Sequence, residues 1–490
     1  MATRSRKGCI DCKQAKIKCD ELHPHCGTCT RRRRVCSGYA RPSSHHAGAE
    51  RRVSVTSNVS MSSLDLIETH LMTATGDYMR AIILEASTKA IPPARGPSFI
   101  PVSEVLAADK PFIEVYFMRH PSDMIINNDV FVKEMNSAAI ALLQQSPTAV
   151  GDALAAIGEN YVADSLMNRA LVSTRKTRLL SRLRLISEED SSPELVLMLL
   201  LALCGVELVD PRSDGDATTL SALIENVSTV LAVYTCQSKQ LSALSKYFAR
   251  AVARQDLLIS LTRMQRTRIA PYAWLDEYST CHADRVLGLT TTLVPLLSKL
   301  AALAEDAKFI LGHHAIAGAE NHSEGVPCEA MARPSDLLER ERYLRAELLS
   351  WRPIRDSSLS INMSRTLLFH AYAWREAALL YLFRLFNRPG SSAEADTEAL
   401  GMAYEAMVHI SGSPQDIKLT LWPLFIAACE LETPEDRDHA TRLFDDICYA
   451  RPIATARRTR TFVVDTIWPA RDSGSNWDWM YFSRCAPIPL

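Results

Sequence analysis

The chain has 490 residues, 47% of them hydrophobic, with a formal net charge of −1. That is enough for roughly two to four ordinary domains and a sizeable core. The near-neutral total hides an asymmetry: residues 1–41 carry eleven lysines and arginines against three acids, a net +8, which leaves −9 for the rest. A basic head on an acidic body assigns any polyanionic partner to the head and excludes phosphate attraction by the body.

The chain opens MATRSRKGC, which is basic but leads into no apolar h-region, an argument against a secretory signal. Thiols that meet a reducing compartment rarely form lasting disulfides. Six of the thirteen cysteines nevertheless crowd into GCIDCKQAKIKCDELHPHCGTCTRRRRVC. They are Cys9, Cys12, Cys19, Cys26, Cys29 and Cys36, and they repeat with a step of seventeen: 9 to 26, 12 to 29, 19 to 36. Clustered thiols in such a compartment read as metal ligands. Each half of the repeat supplies three thiolates, whereas tetrahedral zinc needs four ligands. Two zinc ions need eight ligand positions, and six thiolates fill them when two sulfurs are shared. The spacing therefore predicts one binuclear cluster holding two zinc ions. Cys9 and Cys26, which open the two halves, are the expected bridges. An all-thiolate tetrahedral set suits zinc, whereas an iron–sulfur cluster usually takes four cysteines. So short a segment buries little core, so metal would supply most of its folding free energy.

Basic residues fill the gaps between the ligands. KQAKIK follows the first Cys-x-x-Cys turn and can form a short helix carrying Lys13, Lys16 and Lys18. TRRRRV follows the second and supplies Arg31, Arg32, Arg33 and Arg34. A purely structural zinc knuckle gains nothing from this charge. A surface facing phosphates does, because each cation releases condensed counterions. Lysine also reaches guanine O6 and N7 in the major groove. The alternative for the arginines is a solvated face or a nuclear-import signal. His23 and His25 read as loop residues, since six thiolates already complete the site.

The six cysteines, the lysine pattern after Cys12 and Pro24 in the connecting loop closely resemble the DNA-binding domain of fungal binuclear zinc-cluster transcription factors. The resemblance covers roughly residues 8–38. It implies that the first and fourth cysteines, Cys9 and Cys26, bridge, in agreement with the repeat. It implies a nuclear regulator of RNA polymerase II transcription that reads CGG-type, GC-rich triplets in double-stranded DNA. Lys16 and Lys18 would then approach bases and Lys13 a phosphate. Many relatives carry a further basic residue where this chain has Ala15, which leaves that contact open.

Residues 1–38 are accordingly expected to form the zinc-stapled domain. Residues 39–63 are Ser-rich, lack apolar periodicity and read as a flexible linker without a heptad seam. From residue 64 to 490 the pattern is helical. LDLIETHLMTATGDYMRAIILEA has helix spacing and Ser63 as a cap. SPELVLMLLLALCGVELV places Ser192 as cap, Pro193 at the first helical position and apolar residues on every face, as in a central helix. Its apolar run, Leu195 to Val206, is too short to cross a bilayer. SKQLSALSKYFARAVARQDLLISLTR, SRTLLFHAYAWREAALLYLFRLF and PEDRDHATRLFDDICYA read as amphipathic helices. The expectation is a large all-α regulatory domain with more than a dozen helices. It loosely resembles the fungal-specific domain found behind such zinc clusters. That likeness implies control of activity through the transcription machinery, another partner or a small ligand.

No catalytic constellation stands out in the body, which lacks G-x-G-x-x-G, a phosphate loop, H-E-x-x-H and a G-x-S-x-G elbow. The protein is therefore read as not an enzyme. DPRSDGD, residues 210–216, reads as a solvated loop rather than a calcium site. His313, His314 and His322 read as a surface loop. Trp468, Trp477 and Trp479 read as a tail packed on the body. Without a heptad seam beside the cysteines, the chain is expected to form a homodimer through the helical body or to bind a half-site as a monomer. The competing reading from another class is a zinc-stapled protein-interaction module on a helical scaffold.

Overall fold

The computed structural model describes residues 9, 12, 19, 20 and 26–32 near the N-terminus. It further describes residues 105, 108–162, 174–183, 192–209, 217–236, 240–317, 334–412, 415–451 and 454–485. The chain divides into two units, Met1–Glu68 and Thr69–Leu490. The expected linker, the helix after Ser63 and the loop at 210–216 lie outside the described residues. In the first unit these include one short helix, α1 (Gly27–Arg31).

The second unit is helical. Among its described residues the only β pairing is an isolated bridge between Asp284 and Gly288. Its first half comprises α2 (Lys110–Met124), α3 (Asp129–Gln145), α4 (Pro147–Val162), α5 (174–183), α6 (Pro193–Val209) and α7 (Ala217–Cys236). α6 is the central helix that its sequence predicts. Ser192 Oγ accepts from the Leu195 amide at 3.4 Å, and Pro193 opens the first turn, where its missing N–H costs nothing. Leu197, Leu199, Leu200, Leu203, Cys204 and Val206 of α6 are buried, and the helix packs on α4 and α7.

α2 and α4 approach each other closely because Gly158 has no side chain. A Cβ there would lie 1.9 Å from the Phe112 carbonyl oxygen, which is backbone and cannot swing aside. Gly158→Ala must therefore push the two helices apart. We expect a loss of about 1–3 kcal/mol, the usual range for overpacking, read as a lower urea midpoint. An unchanged midpoint would show that the interface yields without strain.

The hub is α8 (Ala243–Arg263), which packs on α6 and α7. Ser242 caps it by accepting from the Ser245 amide at 3.0 Å. The sequence predicts an amphipathic helix here, and the structure corrects this: seventeen of its twenty-one residues are buried. Buried polar groups generally need internal partners, and most on α8 have them. Asp256 accepts from the amides of Arg268 and Ile269 at 2.7 and 2.8 Å, while Arg250 pairs with Asp284 at 2.8 Å.

The second half adds α9 (Glu277–Cys281), α10 (Val294–Ala317), α11 (Pro334–Ser350), α12 (Ile361–Phe386), α13 (Ala393–Ser411) and α14 (Leu421–Ala428). It ends with α15 (Pro434–Ala450), α16 (Ala454–Phe462), α17 (Trp468–Asp472) and α18 (Trp479–Cys485). α8 packs on α10 and α18, while α12, α13 and α14 pack mutually. α15 begins as its sequence predicts, with Pro434 in the first turn; the structure adds a cap, Thr433 Oγ1 accepting from the Asp436 amide at 3.2 Å. His313 and His314 belong to α10 rather than to a loop, because the helical pattern continues through Gly312 to Ala317. His322 lies outside the described residues.

The late tryptophans close the core, as expected. Trp468, Trp477 and Trp479 are all buried. Trp468 Nε1 donates to the Ala428 carbonyl at 2.8 Å, and Trp479 Nε1 donates to Glu430 Oε1 at 2.7 Å. Glu430 also receives Arg384 Nε at 2.8 Å, and neither side chain of that pair has any exposed surface.

Candidate metal centre

The sulfurs of Cys9, Cys12, Cys19 and Cys26 all lie within 4.8 Å of one another, and all four residues are buried. Cys29 joins them, with its sulfur 3.8 Å from those of both Cys9 and Cys12. The Cys12 and Cys26 sulfurs are 3.6 Å apart. These separations are far beyond the roughly 2.05 Å of a disulfide. They match a tetrahedron: a Zn–S bond of about 2.3 Å puts neighbouring sulfurs about 3.8 Å apart. Among the described residues this is the only group of histidine, cysteine or acid side chains arranged to hold an ion.

The sequence repeat reappears as a structural repeat. The Cys12 amide donates to Cys9 Sγ at 3.4 Å, and the Cys29 amide donates to Cys26 Sγ at 3.2 Å. Each Cys-x-x-Cys turn thus aims a backbone donor at its own first sulfur, a bond that favours the anionic thiolate. The Cys9 amide donates to Cys19 Sγ at 3.3 Å, folding the third ligand back onto the first. Without a cation the site resists charge. Burial pushes the Cys9, Cys12 and Cys29 thiols above their ordinary value, Cys29 to about 12. Thiolates crowded this closely need a cation among them, and a bound metal deprotonates its thiols outright. The donor set therefore fits zinc, which would hold these segments together as a Lewis-acidic, redox-inert staple.

Of the residues expected to meet DNA, Arg31 and Arg32 lie at the end of α1, both exposed. Arg31 Nη2 contacts Asp20 Oδ2 at 3.1 Å, so the residue after the third ligand orients the basic run after the fifth. Sequence reasoning did not single out Asp20; its signal is an acid directly after Cys19, amid basic segments. Lys13, Lys16, Lys18, Arg33, Arg34 and Cys36 lie outside the described residues.

Residues 7–46 match the family described as the fungal Zn(2)-Cys(6) binuclear cluster domain. Residues 121–487 match the fungal specific transcription factor domain, three quarters of the chain. The chain belongs to the fungal zinc-cluster transcription regulators. This regulator is 53% identical over 36 residues to the aspercryptin biosynthesis cluster-specific transcription regulator atnN of Emericella nidulans. It is 47% identical over 36 residues to transcriptional regulatory protein moc3 of Schizosaccharomyces pombe. It is 51% identical over 35 residues to transcription factor lfc1 of Flammulina velutipes. Each match covers 7% of the regulator and only 6%, 7% and 12% of those relatives in turn. No solved structure matches the chain. The family is one of transcription regulators rather than enzymes, and its cluster domain binds zinc and DNA. Among the described residues, no helix is long and apolar enough to cross a membrane.

Proposed function

We propose that this regulator binds two zinc ions through Cys9, Cys12, Cys19, Cys26, Cys29 and Cys36, with Cys9 and Cys26 bridging. The cluster docks in the major groove of a CGG-type, GC-rich triplet and acts on RNA polymerase II transcription in the nucleus. Lys16 and Lys18 read bases, while Lys13 and Arg31, Arg32, Arg33 and Arg34 hold phosphates. The helical body meets the transcription machinery and pairs two copies of the chain, so that two weakly bound half-sites gain affinity through effective concentration. The observation that carries this reading is the pairing of a metal-shaped thiol cage with a local charge of +8 on a body of −9.

The test is a salt titration of the full chain on duplexes carrying zero, one or two CGG triplets. Lys16→Ala or Lys18→Ala is expected to cost about 1–3 kcal/mol of discrimination between CGG and scrambled duplex. Replacing Arg31 to Arg34 with alanine is expected to weaken binding to every duplex and flatten the salt dependence. If the lysine variants weakened specific and scrambled duplex equally, base reading by those residues would be wrong. If no duplex bound in a salt-dependent way, the interaction-module reading would replace this one. A tighter hold on two triplets than on one supports pairing, and equal affinity argues against it.

A further inference from the structure

Inside the helical body, a cavity of about 90 Å³ lies among α2, α3, α4, α6 and α8. Most of its wall is apolar, including Met124, Met198, Leu201 and Phe248. Its charged lining is one-sided: Arg254 of α8, Arg285 of the loop after α9, and Arg451, which follows α15. Among the described residues no aspartate or glutamate lines it. All three arginines are more than nine-tenths buried.

Three acids stand near it: Asp123, which acts on Arg451 but lies 3.8 Å from Arg119, Glu134, which burial pushes up to about 7, and Asp284. Asp284 is taken by Arg250 at 2.8 Å and stands 3.8 Å from Arg285. Arg285 lies over the Tyr247 ring at 3.4 Å and donates to the Tyr247 carbonyl. Arg254 has no hydrogen-bond or ion-pair partner among the described residues. Arg451 has a weak contact to Met124 Sδ at 3.6 Å, and its Nε has none. The Tyr247 hydroxyl is likewise unpartnered. Burial pulls both guanidiniums below the ordinary arginine value, Arg254 to about 9 with Arg451 adding to it, and Arg451 to about 10. Both remain cations at neutral pH. His120, also in the lining, is pushed down to about 3 by burial and stays neutral. Breaking a buried ion pair is strongly destabilising because a charge is left uncompensated. Arg254 and Arg451 feel Asp284 and Asp123 only at a distance, so two weakly compensated guanidiniums face one cavity and suit an anion.

We infer that this cavity binds a small organic acid, its carboxylate held by Arg254 and Arg451 and its short apolar tail against Met124, Met198 and Phe248. Guanidinium forks match carboxylate geometry. The size limits the tail, since an apolar cavity of about 150 Å³ takes one benzene. The site is independent of the DNA reading proposed above. Arg451 comes from the far end of the unit, so the acid ties α15 to α2 and α8.

The experiment uses the full chain with butyrate, 1-butanol and inorganic phosphate at millimolar concentration, ionic strength held constant with chloride. Butyrate is expected to raise the melting temperature by about 2–4 °C as a ligand bound only to the folded state. Butanol and phosphate are expected to do less. Arg254→Met and Arg451→Met should melt no lower than the parent without butyrate, because each removes an unpaired buried charge, and should lose the butyrate response. Four outcomes overturn the inference: no response to butyrate, an equal response to butanol, a response to phosphate alone, or a butyrate response that survives in the double variant.

Discussion

Replacing Cys26 with alanine is expected to lower bound zinc from the proposed two ions per chain to less than one and to abolish specific DNA binding. Cys26 is the proposed bridge of the second half, and its sulfur lies 3.6 Å from that of Cys12 and accepts from the Cys29 amide. Removing it takes a ligand from both ions at once. Structural zinc contributes on the order of 10 kcal/mol to folding of such small segments, so no partly ordered cluster should survive. The body, at −9, offers phosphates no attraction, so binding to a CGG duplex should fall by about 10³-fold or more. Cys281→Ala is the control, because Cys281 is exposed and outside the cage. Metal content by elemental analysis and a gel shift read the result. One tightly held zinc with unimpaired DNA binding in Cys26→Ala would refute the bridging assignment. The body should melt at its usual temperature in both variants, since it is a separate unit.

The second large effect belongs to the body. Glu430→Ala is expected to destabilise it by about 3–5 kcal/mol, the usual result of stranding one member of a buried ion pair. Arg384 would keep Asp396 at 2.8 Å but lose both bonds to Glu430, and Trp479 Nε1 would lose its acceptor. Against a typical total of about 5–15 kcal/mol, that is a large share. The control is the double variant Arg384→Met with Glu430→Leu, which removes both charges together. It is expected to be more stable than Glu430→Ala alone, and the double-mutant cycle gives the coupling. Urea unfolding followed by tryptophan fluorescence reads it. A loss below about 1 kcal/mol would mean that the pair behaves as if solvated.

The cysteines and the buried pair differ in how far sequence exposes them. The cysteine cage was legible because its candidate ligands are local: the five described, Cys9, Cys12, Cys19, Cys26 and Cys29, lie close in sequence, and the period of seventeen survives as paired amide–sulfur bonds. The helix start at Ser192–Pro193 was legible for the same reason, since caps are set by adjacent residues. Arg384 and Glu430 are 46 positions apart, and no period links them. Their only local sign is a charge inside an apolar run, YLFRLF for one and IAACELE for the other. The face of α8 was misread because ARAVARQD alternates polar and apolar residues as a surface helix would, while Arg250 is answered by Asp284, and Asp256 by Arg268 and Ile269, from later in the chain. The cavity was invisible because Arg254 and Arg451 meet only in three dimensions.

The tryptophans that seal the body are synthesised after everything they cover. When Glu430 leaves the ribosome, Arg384 is already waiting, but Trp479 is not, and the Ala428 carbonyl has yet to meet Trp468. Until those residues emerge, the rings of Tyr381 and Phe425 stand without their final covering. A nascent body halted before position 468 thus offers apolar surface and an under-bonded buried carboxylate to chaperones and proteases. Translation to that point becomes a checkpoint: a prematurely terminated chain carries the whole cysteine-rich segment but an unsealed body. Such a fragment would be cleared before it could compete for the same DNA.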